Sequence, residues 1–101
     1  MVLVTTDSIY CANSGDSRAV LCSKDEAIPL SFDHKPQNVE EENRISNSGH
    51  FVEDDRVDGN LALSRAIGDF QYKDKPNRPP EDQAVTCNPD ITHRNRKLSE
   101  D

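Results

Sequence analysis

The chain has 101 residues, 33% of them hydrophobic, no tryptophan and a net charge of −7. Only 21 residues are Leu, Ile, Val or Phe, close to the roughly 20% level below which chains tend to be disordered. These figures limit the chain to one domain at most and favour a piece of a larger one. The charge is uneven, with 4 basic and 11 acidic side chains in residues 1–55 and 8 of each in residues 56–101. No basic stripe exists for a phosphate backbone, which argues against a nucleic-acid partner.

Val2 to Thr5 reads as a strand with almost no lead-in, whereas termini usually lie in exposed polar segments. Further strands are expected at Ile9–Asn13, Ser17–Cys22 and Ala27–Leu30, separated by short polar turns. Such spacing predicts an antiparallel meander over residues 1–31. Pro29 lacks an amide donor, which places its strand at an edge or at its own end.

A helix is expected over residues 38–49, with Asn38 as its cap, Glu41 reaching back to that cap, and Glu40–Glu42 at the positive end of the dipole. Val39 and Ile45 would supply a narrow apolar stripe, and Gly49 the left-handed stop. Residues 50–70 begin with two short strands, Phe51–Val52 and Arg56–Val57, joined through Glu53-Asp54-Asp55. The run Arg56–Phe70 interleaves Leu61, Ala62, Leu63, Ala66 and Ile67 with two arginines, a serine and two acids. It reads as a buried strand or short helix whose polar groups must find partners. Residues 71–83 are proline-rich and charged, hence an exposed loop. In residues 84–101, strands at Val85–Cys87 and Ile91–His93 flank an Asn-Pro-Asp turn, followed by a polar tail.

Cys11, Cys22 and Cys87 lack Cys-x-x-Cys spacing and sit beside apolar or strand-like residues, as buried thiols of a reducing compartment would. With no apolar run of about 18 residues and no leader pattern, neither a membrane span nor a secretory signal is expected, and the cytosol or nucleus is the default. A calcium-binding hand is excluded, since a loop starting at Asp54 would place Arg56 and Arg65 at ligand positions. Asp16 and Asp69 each follow a glycine that could present a carboxylate to a cation, although an ordinary turn is the commoner reason for an aspartate in such a place. His34, beside Asp33, is the histidine most suited to a fixed tautomer. Ser17 and Ser64 precede arginines rather than occupying a nucleophile elbow, so covalent catalysis is discounted. Arg18 and Arg65 suit bidentate grip of a phosphate or a structural acid.

Five motifs then carry a resemblance. Cys11 to Arg18, Asp33 to Pro36, Arg44-Ile45 with Gly49, Arg56 to Asp69, and Pro89-Asp90 occur in the order and spacing of the metal-dependent type-2C protein serine/threonine phosphatases. The resemblance implies an α+β fold, part of an antiparallel β-sandwich flanked by helices in αββα layers, with residues 1–101 a partial catalytic domain. It implies magnesium or manganese as cofactors and phosphoproteins as partners. Asp16 matches an aspartate that helps hold an additional metal ion, and Arg65 and Asp69 match residues that brace the site. Residues 71–83 would lie on the side of the flap, where substrate selectivity arises. The family's early Asp-Gly-His, later Asp-Gly-x-Trp-Asp and final Asp-Asn motifs are absent, and His50 and Asp58 replace its usual Gly and Asn. Two expectations follow: an internal piece of such a phosphatase, inactive alone, or a non-catalytic module that binds phosphoproteins or a phosphatase partner.

Overall fold

The computed structural model describes residues 1–96, so the end of the expected polar tail, residues 97–101, lies outside the described residues. The described residues divide into two compact units: residues 1–13 and 17–32 with 89–96, and residues 14–16 with 33–88.

In the first unit, β1 (Val2–Val4) and β2 (Ser8–Asn13) pair antiparallel, Val2 opposite Cys11. The other edge of β2 pairs with β7 (Asp90–Asn95), Ser8 opposite Asn95. Alternation along β2 buries Ile9, Cys11 and Asn13 and leaves Tyr10 outside, where its ring stacks on His93 at 4.6 Å. Ile9 and Cys11 form a small core with Leu30, against which Ala19 and Leu21 pack. β3 (Val20–Ser23) and β4 (Glu26–Pro29) make a separate hairpin. Its two-residue loop puts Lys24 and Asp25 at φ of 50° and 64°, the two left-handed residues that a type I′ turn requires.

The expected four-strand meander is therefore corrected: β2 neighbours β7 rather than β3. The third strand starts at Val20 and not at Ser17. Pro29 does fall at the end of its strand, opposite Val20.

In the second unit, helix α1 (Val39–Asn47) is followed by Ser48 and by Gly49 at φ +91°. Asn38 holds the cap position without a side-chain capping bond; its amide instead donates to the Asp33 carbonyl at 3.0 Å. Val39 is 75% exposed, so the narrow stripe at Val39 and Ile45 is corrected. The buried face carries Glu41 and Ile45, one turn apart. β5 (Val52–Glu53) and β6 (Arg56–Val57) form a hairpin around Asp54 and Asp55, again both at positive φ. Ile45, Val57, Tyr72, Ala84 and Val85 form the core.

The Arg56–Phe70 run is neither a continuous strand nor a helix. After β6 it turns, bridging Val57 to Leu61 and Arg65 to Thr86, and leaves Ile67 and Phe70 largely exposed. Val57 in the core, with Leu61 and Ala66 packed against it, and the polar partners of Ser64 and Arg65 together hold it. Val85–Cys87 likewise contributes only the Thr86 bridge and no strand. The 71–83 loop is less open than expected, because Gln83 is buried and folds it back on itself. The Gln83 amide donates to the carbonyls of Lys75 (2.7 Å) and Arg78 (2.8 Å) and accepts from the Lys75 amide (3.1 Å), satisfying backbone groups that have no ladder partner. Of the cysteines only Cys11 is buried; Cys22 and Cys87 are exposed, which corrects the expectation of three buried thiols. All three are free.

The three residues of β1 are all exposed, and β1 pairs only with β2 among the described residues. An apolar strand with one unpaired edge templates association. Leu3→Lys is expected to delay aggregation of this chain in light scattering while leaving its circular dichroism unchanged; an unchanged onset would show that association starts elsewhere.

Candidate functional site

The centre of the second unit is a carboxylate surrounded by donors. Glu41 is 3% exposed. Its Oε1 accepts from the Ser64 hydroxyl at 2.7 Å and from Arg65 Nε at 2.9 Å, and its Oε2 accepts from Arg65 Nη2 at 2.9 Å. Arg44, one turn along α1, brings Nη1 within 3.2 Å of the same Oε2. Arg44 also donates to the carbonyls of Gln83 (2.9 Å), Ser64 (2.7 Å) and Ala84 (3.2 Å). Burial works to raise the Glu41 pKa, but the hydrogen bonds from Arg65 and Ser64 and the attraction of Arg44 outweigh it and hold the group at about 2. Both oxygens are thus fully used, and Glu41 is a structural anion.

Arg65 therefore grips an acid in bidentate fashion, and its Nη1 extends to the Asn88 carbonyl at 3.0 Å. The Ser64 hydroxyl, completely buried and donated to Glu41, is unavailable as a nucleophile.

The turn carrying Asp16 belongs to the same unit. The Gly15 amide donates to His34 Nδ1 at 3.0 Å, and the His34 amide donates to the Gly15 carbonyl at 2.9 Å. Acceptance at Nδ1 puts the proton of the neutral ring on Nε2, so His34 does hold one tautomer. The His34 carbonyl accepts from the Ser64 amide at 3.2 Å, and a Cβ on Gly15 would stand 3.1 Å from the Arg65 carbonyl oxygen. The structure thus brings the Asp16 turn against the backbone of the Ser64-Arg65 pair.

Asp16 itself takes Lys35 Nζ at 2.8 Å, both side chains about one-third exposed. Asp69 stands at φ +52° before a 3-10 turn at Phe70–Tyr72 that its side chain does not cap. Among the described residues no three His, Cys, Asp or Glu side chains come together as metal ligands. Asp16 is a single carboxylate already paired with a cation, so the residues present do not fit a two-metal site on their own.

Two features lay outside the sequence reading. Glu41 was expected at the helix cap; its spacing of four before Ile45 was the available signal that it faces inward. The second is a chain of charges: His50 Nδ1 lies 2.6 Å from Asp58 Oδ2 and its Nε2 lies 2.8 Å from Asp74 Oδ1. The two substitutions relative to the resembled pattern, His50 and Asp58, meet each other. Beside them, Phe70, Lys73, Lys75, Pro76, Arg78 and Pro80 help line an open cleft of about 330 Å³. Lys73 Nζ donates to the Ala66 carbonyl at 2.8 Å and sits 5.6 Å from the Phe70 ring centre.

The profile of the family "Protein phosphatase 2C" matches residues 1–101. Protein phosphatase 2C homolog 2 of Aspergillus fumigatus is 58% identical over 90 residues, covering 89% of this chain and 21% of that protein. The protein of the same name from Schizosaccharomyces pombe is 55% identical over 94 residues, covering 93% of this chain and 25% of that protein. A crystal structure of a phosphatase from Toxoplasma gondii superposes with a TM-score of 0.82 at 47% identity, over 85% of this chain and 27% of that one. The chain thus spans a quarter or less of these curated relatives. With helix α1, antiparallel pairs and the anchored Arg65 stretch, the chain is a small α+β portion of that fold and belongs to the protein phosphatase 2C family.

Proposed function

We propose that residues 1–101 are a partial catalytic domain of a metal-dependent protein serine/threonine phosphatase, which hydrolyses phosphoserine and phosphothreonine in proteins. The observation that carries this reading is the seating of the Asp16 turn on the Ser64-Arg65 backbone, which the Glu41 ion pairs hold rigid. In this reading Asp16 is the metal-facing carboxylate and Arg65 a positioning residue. Asp69 contributes the bend that leads into the flap-side loop. Magnesium or manganese is the cofactor of the whole enzyme, and it requires carboxylates beyond those assembled here, so no hydrolytic step is assigned to these residues. Three free thiols suit a reducing compartment, the cytosol or nucleus. Among the described residues no helix is long and apolar enough to cross a membrane.

The test is turnover of a phosphothreonine peptide by the purified 101-residue chain with magnesium or manganese. The expected result is release of phosphate at background rate, unchanged by either ion. Metal-dependent turnover above background would overturn the view that further carboxylates are needed.

One observation favours a second reading, a module that binds phosphoproteins without hydrolysis. The cleft beside Lys73, Lys75 and Arg78 joins cations to an apolar floor, which suits an anionic peptide. Under this reading a fluorescent phosphopeptide shows saturable anisotropy that weakens with salt and with Arg78→Ala; flat anisotropy removes it.

A further inference from the structure

His50 is placed between two carboxylates, and these come from different segments. Asp58 follows β6, and Asp74 lies in the loop after the Phe70–Tyr72 turn. Asp58 is fixed independently: its Oδ1 accepts from the Phe51 amide at 3.2 Å, and its own amide donates to the Phe51 carbonyl at 2.8 Å. Asp74 has less support, being about half exposed. Its other oxygen lies 4.0 Å from Lys75 Nζ, and Lys75 also lines the cleft. The Tyr72 ring lies tilted to the imidazole at 6.1 Å between centres. Among the described residues the charged groups that act on His50 are Asp58 and Asp74, with Lys75 beside Asp74.

Both ring nitrogens can donate only in the imidazolium form. A neutral imidazole has one N–H, so one of the two carboxylates would face a lone pair. We propose that His50 is a charged clasp that fastens the loop after Tyr72 to the β5–β6 hairpin, and that its deprotonation releases Asp74 to Lys75 and so changes the charge presented by the neighbouring cleft. Below the transition Asp74 is held by His50, and Lys75 keeps its charge for the cleft. Above it the 4.0 Å gap between Asp74 and Lys75 closes, and one cation of the cleft wall is neutralised.

The direction of the pH dependence follows from the surroundings. Burial works to lower the His50 pKa, but the hydrogen bonds to Asp74 and Asp58 prevail and raise it above its ordinary value. Asp74 is in turn held below the usual carboxylate range, first by its bond to His50. A histidine with a raised folded pKa contributes stability fully present below its unfolded value, about 6.5, and lost as pH rises through the folded value. The clasp therefore holds fully below the ordinary histidine value and opens as pH rises through the raised one.

The test is ring-nitrogen NMR of His50 in the full 101-residue chain between pH 5 and 9, with the urea-unfolded chain as reference. Exchange of the loop amides, corrected for its intrinsic pH dependence, is followed alongside. The expected result is a His50 midpoint above that of the unfolded chain, both nitrogens protonated below it, and loop exchange that accelerates through the same midpoint. Asp74→Asn, at a half-exposed position, should move the midpoint toward the unfolded reference and weaken the coupling. His50→Gln, which keeps one hydrogen bond without charge, should leave loop exchange high and flat with pH. A midpoint equal to that of the unfolded chain, no response to Asp74→Asn, or loop protection independent of pH would each overturn the proposal. A chain without ordered structure gives the first of these results.

Discussion

Replacing Glu41 with alanine should lower the free energy of unfolding by about 3–5 kcal/mol, the usual cost of removing one partner from a buried ion pair. Two guanidinium groups depend on this carboxylate: Arg65 through Nε and Nη2, and Arg44 through Nη1. Without it they face each other inside the second unit, where Arg44 is fixed by three carbonyls and cannot swing out. The Ser64 hydroxyl, fully buried, loses its acceptor as well. Because small domains hold only about 5–15 kcal/mol in total, the variant should lose a large share of its stability, read as a much earlier midpoint in urea denaturation followed by circular dichroism. Glu40→Ala, on the exposed side of the same helix, should change stability by less than about 0.5 kcal/mol. Equal effects of the two substitutions would show that the cluster adds nothing beyond helix propensity.

The same carboxylate sets a dependence on acid. Its folded pKa, about 2, lies below the ordinary value of 4.5. Its contribution is therefore complete above about pH 4.5 and is lost as pH falls toward 2. The difference corresponds to roughly 3 kcal/mol, of the same order as the cost of the alanine substitution. Stability of the parent chain should fall through this window, and in Glu41→Gln this share of the fall should be missing.

What the residue string discloses about this chain depends on whether a structural feature is local. The β3–β4 and β5–β6 hairpins were legible because Lys24-Asp25 and Asp54-Asp55 are short polar loops that tolerate left-handed backbone, flanked by strand formers. The helix was legible through its acidic first turn and Gly49. The pairing of β2 with β7 was not, since 76 residues separate the strands' last and first residues, Asn13 and Asp90, and the strand pattern alone does not choose a neighbour. Glu41 satisfied a local capping pattern and a long-range ion pair equally well, and the ion pair prevailed because Arg65 offers two aligned donors. Motif order located the Asp16 and Arg65 stretches, but no spacing rule could reveal that His34 joins them. The Gln83 closure of the 71–83 loop was hidden for a similar reason: one side-chain amide stands in for backbone partners.

Gly15→Ala carries the second large effect, about 3 kcal/mol, at the upper end of the cost of a strained backbone conformation. Gly15 sits at φ +129°, a region that L side chains rarely adopt. The added Cβ would also stand 3.1 Å from the Arg65 carbonyl oxygen, a backbone atom that cannot rotate aside. Arg65 is tied on both sides, through its side chain to Glu41 and through its bridge to Thr86, so the turn rather than the motif must give way. Movement of the turn breaks both hydrogen bonds between Gly15 and His34. Asp16→Ala, one residue on, removes only a partly exposed pair with Lys35 and should cost at most about 1 kcal/mol. Thermal unfolding of the two variants separates the roles: the glycine holds the turn in place, and the aspartate is a carboxylate that the fold positions without depending on it. A Gly15→Ala variant as stable as the parent would mean that the turn is not anchored on Arg65. An Asp16→Ala variant as unstable as Gly15→Ala would make the Lys35 pair structural, and would remove the argument that this carboxylate is kept for a metal ion.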